Sequence, residues 1–371
     1  MKISIIVPVY NSQQYLAECL NSLLNQQLDD YEIICVNDGS TDNSSLILQK
    51  YAEVYPLIRI VDQENMGLPA ARNAGLVAAK GEYVLHVDSD DRIEVDSLKA
   101  LYDCAIKENA DIVVFGGHSF PYSVDWINSV LKVKDRIVFD QVEQALFYEV
   151  GSRPFTWNKL YKKSIIEKYQ LFYPESVELG EDQIYQFYVF PHAQRIAYLG
   201  RDFYWYRQTR NSMLTKYTSN SDARLIGHVD MIELVFNYWL KLGILNKHAK
   251  DILVWALSYV EIDTIGESDI VTVKKSCERL SALFKMIDFS GVELNRENQE
   301  KMFLVDRLAS FTPGREVLSL LILEKQSLPK ILKLVYLTKL YIPLIFPRDS
   351  FSFKVLKKTY QGLKRIVSVI K

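Results

Sequence analysis

The chain has few cysteines and no long apolar run. Its four cysteines are Cys19, Cys35, Cys104 and Cys277. None belongs to a Cys-x-x-Cys pair, which excludes the common zinc and dithiol motifs and is typical of a reducing compartment. No apolar stretch reaches the roughly 18 residues that a membrane-spanning helix needs. The apolar segment 3–9 is too short for a secretory leader and contains Pro8. We therefore expect a cytoplasmic protein.

The chain also lacks the glycine-rich phosphate motifs of two large enzyme classes. No Gly-x-Gly-x-x-Gly follows a predicted strand, and there is no Walker loop. These absences weigh against a dinucleotide-dependent enzyme and against a P-loop ATPase.

Acidic residues are scarce in the last part of the chain. The net charge is −2, yet ten Lys or Arg residues stand against a single acid, Asp349, between Lys330 and Lys371. Apolar side chains are interleaved with these cations, a pattern typical of a surface that binds anionic lipid. The alternative is a solvated basic helix pair packed on the protein, and no companion motif supports nucleic-acid binding. We predict that residues 328–371 form a basic amphipathic membrane-surface segment.

Apolar runs alternate with amphipathic patterns in the first part of the chain. The runs predict strands at residues 3–9, 32–36, 58–61, 83–87 and 110–115, with helices between them. Asn11 and Ser12 precede the first helical pattern and are predicted to cap it. Strands separated by helices indicate βαβ units. We predict an α/β fold with a mixed, mainly parallel sheet flanked by helices, followed by an α-helical region beyond Asp222.

The predicted strands end in polar clusters. Ligands of such sheets bind outside the carboxyl ends of the strands, so these clusters are expected to share one crevice. The most informative cluster places three carboxylates, Asp88, Asp90 and Asp91, within four positions. Such carboxylates repel one another unless a cation neutralises them, and Mg²⁺ or Mn²⁺ takes oxygen ligands that it shares with substrate phosphates. The alternative is an acidic turn that simply ends a strand.

Four motifs occur in the order seen in family 2 inverting glycosyltransferases. They are Pro8-Val-Tyr10-Asn11, Val36-Asn-Asp38-Gly39-Ser40-Thr41-Asp42, Asn65-Met-Gly67-Leu-Pro-Ala-Ala-Arg72-Asn73-Ala-Gly75 and Asp88-Ser-Asp90-Asp91. The chain resembles this family, in its bacterial surface-polysaccharide type, strongly up to residue 115 and more weakly to residue 216. The resemblance implies a GT-A fold and a metal-dependent inverting enzyme. Its donor would be a nucleotide-sugar, usually a UDP-sugar, and its cofactor Mn²⁺ or Mg²⁺.

The resemblance also implies which residues bind the donor. They are Pro8, Tyr10, Asn11, Asp38, Arg72, Asp88 and Ser89. Asp38 matches the acid that accepts the N3–H of uracil, and Tyr10 could stack on the base or simply pack at the strand end. Arg72 would contact the base or the diphosphate, the alternative being a surface ion pair. Asp90 looks like the direct metal ligand, with Asp88 toward the ribose or a metal-bound water.

Residues further along the chain resemble the family's catalytic and acceptor segments. Asp182 matches the base that takes the acceptor's proton, with Glu181 as the second candidate, although both could be plain first-turn acids of a helix. Trp157 could stack on a sugar face, or it could be a buried structural residue. The loop expected to close over the diphosphate is matched by Arg207, Arg210 and Ser212.

These patterns predict three segments. Residues 1–216 would form the GT-A catalytic domain, with a nucleotide-sugar half at 1–115 and an acceptor half at 116–216. Residues 217–327 would form a helical domain, which could pack on the catalytic domain, bind acceptor or form a homodimer. Residues 328–371 would be the membrane-surface segment.

The expected function is transfer of a hexose-type sugar to a glycan or polyprenyl-diphosphate-linked acceptor, in capsule or exopolysaccharide synthesis. The enzyme would be cytoplasmic and peripheral at the inner face of the plasma membrane, without binding nucleic acid. One alternative is a catalytically inactive sugar-nucleotide-binding or membrane-associated scaffold. Another is a nucleotidyltransferase of similar fold, which would release pyrophosphate rather than UDP.

Overall fold

The computed structural model describes two compact units, divided between residues 212 and 213. The described residues are 1–135, 137–140, 142–153, 155–177, 179–208 and 220–310. The sequence predictions for Arg210, Ser212 and residues 328–371 lie outside these ranges.

Within the described part of the first unit, nine strands form one mixed sheet. They are β1 (Ile3–Val9), β2 (Tyr31–Asp38), β3 (Ile58–Gln63), β4 (Tyr83–His86), β5 (Arg92–Ile93), β6 (Ile112–Phe120), β7 (Ile137–Phe139), β8 (Lys159–Lys162) and β9 (Ile196–Arg207). Their order is β3-β2-β1-β4-β8-β6-β9-β5, with β7 paired to β9. β1 to β4 run parallel, as the sequence predicts. β8 lies antiparallel between β4 and β6, so the fifth predicted strand does not adjoin the fourth.

Helices connect these strands. They are α1 (Leu16–Leu24), α2 (Ser44–Val54), α3 (Leu68–Ala78), α4 (Ser97–Glu108), α5 (Asp125–Leu131), α6 (Val142–Tyr148), α7 (Lys163–Tyr169) and α8 (Glu181–Val189), with a 3-10 turn at Phe190–His192. The mixed, mainly parallel sheet with flanking helices confirms the predicted fold class.

β1 is buried on both faces, which explains its continuous apolar sequence. One face belongs to a core cluster that includes Leu16, Cys19, Leu20 and Leu23 of α1. On the other face α3 packs closely, because a Cβ at Gly75 would lie only 2.3 Å from Cγ2 of Ile6. The close approach of α3 to the sheet brings Arg72 next to the residues that follow β4.

The segment between β1 and α1 differs from the sequence prediction. α1 begins at Leu16, and no side chain caps it. The predicted caps are wrong because Asn11 and Ser12 lie too far before the helix and bind other loops. Asn11 Oδ1 accepts the backbone N–H of Thr41 at 2.8 Å, and Ser12 Oγ pairs with Ser89 Oγ at 2.6 Å. These side chains therefore join the loops at the carboxyl ends of the strands.

The described part of the second unit is helical. Its helices are α9 (Ser221–Lys241), α10 (Ala249–Ser258), α11 (Ile262–Glu267), α12 (Ile270–Phe284) and α13 (Arg296–Ala309), with a 3-10 turn at Asn246–His248. The first of these helices buries one face, at Leu225, Val229, Ile232, Val235 and Trp239. Among the described helices, none has the length and apolar character to cross a membrane.

Candidate functional site

The predicted donor-binding residues meet at the carboxyl ends of β1, β2 and β4. Tyr10 directly follows β1 and is 50% exposed, so its ring is accessible. Asn11 holds the loop that follows β2. Pro8 is buried within β1, and Ser89 is buried against Ser12. The structure therefore brings the four sequence motifs to one edge of the sheet.

Asp38 organises the loop that leads into α3. Its Oδ1 accepts hydrogen bonds from Gln63 Nε2 at 2.8 Å and from the backbone N–H of Met66 at 2.9 Å. Its Oδ2 accepts the backbone N–H of Gly67 at 2.9 Å. Gly67 adopts a positive φ of 89°, a conformation that glycine takes without a steric cost. The carboxylate that resembles the base-reading acid thus also shapes the wall of the same crevice.

The three acids after β4 have three different environments. Asp91 is buried and accepts hydrogen bonds from Tyr204 Oη at 2.7 Å and from the backbone N–H of Arg207 at 2.6 Å. Asp88 Oδ1 binds Arg72 Nη2 at 3.1 Å. In the described part of the chain, no side chain donates a hydrogen bond to the Asp90 carboxylate. Burial, reinforced by the charge of Asp88, raises the pKa of Asp90 to about 6. Asp90 would therefore be stabilised by a bound cation.

The carboxylates at the end of β4 suit a hard divalent ion. Asp90 is largely desolvated and makes no ion pair within the described ranges; the charge of Asp88 raises its pKa, and that of Arg207 partly offsets the rise. Within the described ranges, no three His, Cys, Asp or Glu side chains are grouped so as to hold an ion by themselves. Mg²⁺ commonly takes one or two protein carboxylates and completes its shell with phosphate oxygens and water. Asp90 and Asp88 fit that pattern.

Arg72 joins these strand-end acids to a second pair of acids. Its Nη1 lies 2.5 Å from Asp182 Oδ1 and 3.2 Å from Glu181 Oε1, while Nη2 binds Asp88. The side chain is 1% exposed, so the alternative of a surface ion pair is wrong. Burial alone would lower the pKa of Arg72, but the carboxylates, Asp182 foremost, raise it well above the ordinary value. Arg72 is therefore a charged hub between two acid groups.

Glu181 and Asp182 open α8, where the helix dipole favours negative charge. Asp182 Oδ2 also accepts the backbone N–H of Thr156 at 3.3 Å. Burial raises the pKa of both carboxyls, and for Glu181 the charge of Asp182 adds to the effect and brings the pKa to about 7. Arg72 opposes the rise in both cases. A carboxylate with a raised pKa is a better proton acceptor, as a general base requires.

Trp157 lies inside a stack of aromatic rings. Its ring centroid is 3.9 Å from that of Tyr204 and 4.5 Å from that of Phe155, with the planes nearly parallel. At 1% exposure it has no free face for a sugar. The prediction that Trp157 stacks on the acceptor is therefore corrected in favour of the buried structural alternative.

Arg207 lies beside the strand-end acids. Its Nε donates to the backbone oxygen of Asp90 at 2.6 Å, and its guanidinium lies over the rings of Tyr15 and Phe120. This residue is close enough to Asp90 for a role at a diphosphate. The other two predicted members of that loop are outside the described residues.

Residues 4–170 match Glycosyl transferase family 2. The chain is 30% identical to Glycosyltransferase GlyG of Streptococcus pneumoniae over 236 residues. This aligned region covers 61% of this chain and 77% of that protein. The chain belongs to glycosyltransferase family 2. Another family relative, EpsH of Bacillus subtilis, is 37% identical over 224 residues, 58% of this chain and 63% of its own length. The chain thus spans less than two thirds of EpsH and of other curated relatives.

Solved structures show the same fold for this family 2 member. The structure of Staphylococcus aureus TarS 1–349 in complex with UDP-GlcNAc superposes with a TM-score of 0.54 at 20% identity, covering 82% of this chain and 90% of that one. The Staphylococcus aureus protein is named a poly(ribitol-phosphate) beta-N-acetylglucosaminyltransferase. At this identity the similarity establishes the fold.

Sequence analysis overlooked two residues that support the site of this family 2 member. Tyr204 Oη donates to Asp91 and accepts the backbone N–H of Asp88 at 3.0 Å, so it fixes the acidic turn. Thr156 holds Asp182 through its backbone N–H. Tyr204 stands in the aromatic segment before Arg207, which was a usable signal, whereas a backbone donor such as that of Thr156 leaves no trace in the residue type.

Proposed function

We propose that this chain is an inverting glycosyltransferase that moves a sugar from a UDP-sugar to a hydroxyl group of a glycan acceptor in bacterial polysaccharide synthesis. The observation that carries the proposal is the arrangement around Arg72. One guanidinium holds Asp88 on one side and Asp182 and Glu181 on the other. A metal-dependent inverting transfer needs acids in two roles. One group holds the cation that neutralises the leaving diphosphate, and the other accepts the proton of the attacking hydroxyl; the two groups would supply these roles.

Asp182 is the proposed base. It takes the proton of the acceptor hydroxyl while that oxygen bonds to the anomeric carbon and the bond from that carbon to the diphosphate breaks. Its support is its position: Arg72 and the backbone of Thr156 each hold one of its carboxylate oxygens. Glu181 is the second candidate, because it shares Arg72 and has a pKa of about 7. Substitution of each acid separately distinguishes them.

The proposed donor site lies at the ends of β1 and β2. Asp38 would accept the uracil N3–H, and Tyr10 would stack on the base. Asn11 holds the loop that follows β2 through the backbone N–H of Thr41. The resemblance to the family supports uridine. TarS, which shares the fold, has been crystallised with UDP-GlcNAc.

Mn²⁺ or Mg²⁺ is the proposed cofactor, with Asp90 as direct ligand and Asp88 beside it. The ion would supply positive charge to the leaving diphosphate. Arg207, which contacts the backbone of Asp90, would add a second cation for the same phosphates.

The acceptor is proposed to be a glycan carried on a lipid such as a polyprenyl diphosphate, and the enzyme to be peripheral at the inner face of the plasma membrane. The support is the basic, apolar sequence of residues 328–371. Binding of the full chain to vesicles of phosphatidylglycerol and phosphatidylcholine tests this. Replacing Lys354, Lys357 and Lys358 by Glu should weaken binding, whereas Lys99→Glu, Lys107→Glu and Lys274→Glu together should not. Equal binding by both triple variants would reject the membrane role.

Thermal unfolding with nucleotides tests the donor and metal assignments. UDP, GDP, CMP and TDP are each added with Mn²⁺ or with EDTA. A ligand at about a hundred times its dissociation constant stabilises the protein by about 2.7 kcal/mol. We expect a shift specific to UDP with Mn²⁺, lost in Asp90→Asn and kept in Asp182→Asn. A shift with another nucleotide alone would reject uridine, and no shift with any nucleotide would reject the proposed donor site.

A further inference from the structure

Four aromatic rings form a continuous stack that begins at the acidic turn. Tyr204, bonded to Asp91, is stacked on Trp157, and Trp157 is stacked on Phe155. Tyr206 lies 5.4 Å from Trp157, tilted by 16°, and 5.7 Å from Phe155, tilted by 31°. Tyr204 and Trp157 are buried, whereas Phe155 and Tyr206 are partly exposed. The stack therefore has one end in the protein core and one that reaches solvent.

The exposed end is connected to both acid groups through the sequence neighbours of its two rings. Thr156, the neighbour of Phe155, holds Asp182 through its backbone N–H. Arg207, the neighbour of Tyr206, donates its backbone N–H to Asp91. Beyond the effect of burial, Asp91, Asp88, Asp90 and Asp182 all raise the pKa of Tyr206, which means that its phenol is near both groups.

The Tyr206 hydroxyl has no hydrogen-bond partner among the residues that the structure describes. The other tyrosine of the stack uses its hydroxyl to fix the acidic turn. Because Tyr206 is only partly buried, its hydroxyl keeps access to water and is open to a ligand. Tyr206 therefore offers a flat apolar ring and an open hydroxyl at the same place.

We propose that Tyr206, supported by Phe155, positions the acceptor and that the acceptor group held there is a pyranose ring. The apolar C–H face of the sugar lies on the aromatic rings, and the Tyr206 hydroxyl pairs with a sugar hydroxyl. This inference rests on the proposed function, with Asp182 as the base. The attacking hydroxyl gives its proton to Asp182, its oxygen bonds to the anomeric carbon, and the nucleoside diphosphate leaves with the bonding electron pair.

The shape of the platform favours a sugar ring over an acyclic polyol. Stacked aromatic rings present a flat apolar surface, and an open-chain polyol has no flat C–H face to lie on it. The aromatic platform thus selects for ring shape.

The test separates acceptor use from donor turnover. UDP release is measured with UDP-glucose, UDP-galactose and UDP-GlcNAc in Mn²⁺, first with water as the only acceptor. Octyl glucoside, octyl galactoside and octyl N-acetylglucosaminide are then added below micelle concentrations, with ribitol phosphate as the acyclic probe. The variants are Tyr206→Phe, Tyr206→Leu and Phe155→Leu. Tyr122→Leu, at a tyrosine that is 70% exposed, is the matched control.

We expect at least one pyranoside to accelerate UDP release by the wild-type chain. Tyr206→Leu should raise the KM for that pyranoside about tenfold, as loss of an aromatic contact predicts. Tyr206→Phe keeps the ring and should raise KM about threefold, for the lost hydrogen bond. Tyr122→Leu should leave both the KM and the release with water unchanged, and stabilisation of the other variants by UDP with Mn²⁺ in thermal unfolding excludes a general loss of folding.

The possible failures are distinguishable. If the wild-type chain releases no UDP from any donor, the proposed function fails and the inference with it. If UDP is released but no pyranoside accelerates the release, the inference alone is overturned. Acceleration by ribitol phosphate only, or an unchanged pyranoside KM in Tyr206→Leu, also overturns it.

Discussion

The first unit contains two groups of carboxylates in contrasting environments. The strand-end group, Asp88, Asp90 and Asp91, follows β4, and the helix-start group, Glu181 and Asp182, opens α8. After β4, Asp91 is satisfied by protein donors, whereas the Asp90 carboxylate, which the charge of Arg207 partly stabilises, makes no ion pair within the described ranges. At the start of α8, Asp182 and Glu181 both share one buried arginine. The strand-end group is therefore incomplete until a cation binds, while the helix-start group is already held in place by Arg72.

This difference supports the proposed roles more strongly than the residue types do. A group that must receive a metal and a diphosphate gains from an unpaired carboxylate. A base must instead be fixed in direction while it keeps its affinity for a proton, which burial supplies by raising its pKa. Substitutions that affect one group and spare the other test the comparison.

The largest effect is expected from Asp182→Asn. Because the base would be lost while its position stays filled, UDP release driven by an acceptor should fall by about a thousandfold. Thermal unfolding should show that the variant binds UDP with Mn²⁺ as the wild-type chain does.

Two comparisons make the experiment decisive. Asp103→Asn, at an exposed acid paired with Lys99, should leave the rate unchanged. A normal rate in Asp182→Asn together with a comparable loss in Glu181→Gln would move the base to Glu181.

Substitution of Arg72, which bridges the two acid groups, should lower the free energy of unfolding the most. Arg72→Met leaves three carboxylates facing one another around a buried site, so the free energy of unfolding should fall by about 3 to 5 kcal/mol. Arg195→Met breaks an exposed pair with Asp140 and should cost less than about 1 kcal/mol. Urea denaturation measures both. Equal losses would contradict the view of Arg72 as a buried hub.

The sequence predicts the donor side of the fold well because its signals are local. β1 matches its predicted bounds since a strand buried on both faces is mostly apolar, and its one polar side chain, Ser4, donates to Glu32. β8 was missed because its sequence, Lys159-Leu-Tyr-Lys162, looks like a polar turn. The Lys159 ammonium is in fact buried, where it donates to Asn158 Oδ1 at 2.7 Å. Only the tertiary structure supplies such a partner.

The candidate site shows the same limit. The motif around Arg72 indicates a functional arginine, but its contacts with Glu181 and Asp182 span 109 and 110 residues. Trp157 stands in a segment that resembles the family, yet burial by neighbouring rings decides that it does not meet solvent. Motifs locate the site, and long-range packing decides which side chain does what within it.

A smaller effect is expected in the pH dependence of stability when Asp90 is replaced by Asn. The folded protein raises its pKa from 3.8 to about 6, so the folded state binds more protons between those values and its stability falls as pH rises through them. Asn has no charge to desolvate. Asp90→Asn without metal should therefore be more stable at pH 8, by up to about 3 kcal/mol, and equally stable below pH 4.

The pH dependence is the control within that experiment. Asp103→Asn, at an exposed acid beside Lys99, is the control variant. Saturating Mn²⁺ and UDP should reverse the order at pH 8, because only the wild-type carboxylate gains a cation. A stability gain that is constant with pH would mean that the charge of Asp90 is not the cause.

The smallest effect compares two buried tyrosines that differ in one respect. Tyr204 Oη makes two hydrogen bonds at the acidic turn, whereas Tyr185 Oη has no partner among the described residues. Tyr204→Phe should lower the free energy of unfolding by about 1 to 2 kcal/mol, because Asp91 and the Asp88 N–H lose a partner. Tyr185→Phe, the same change in a similar setting, should be neutral or stabilising. If both cost the same, the cost would come from the loss of the hydroxyl itself, and Tyr204 would have no special part in holding the strand-end acids.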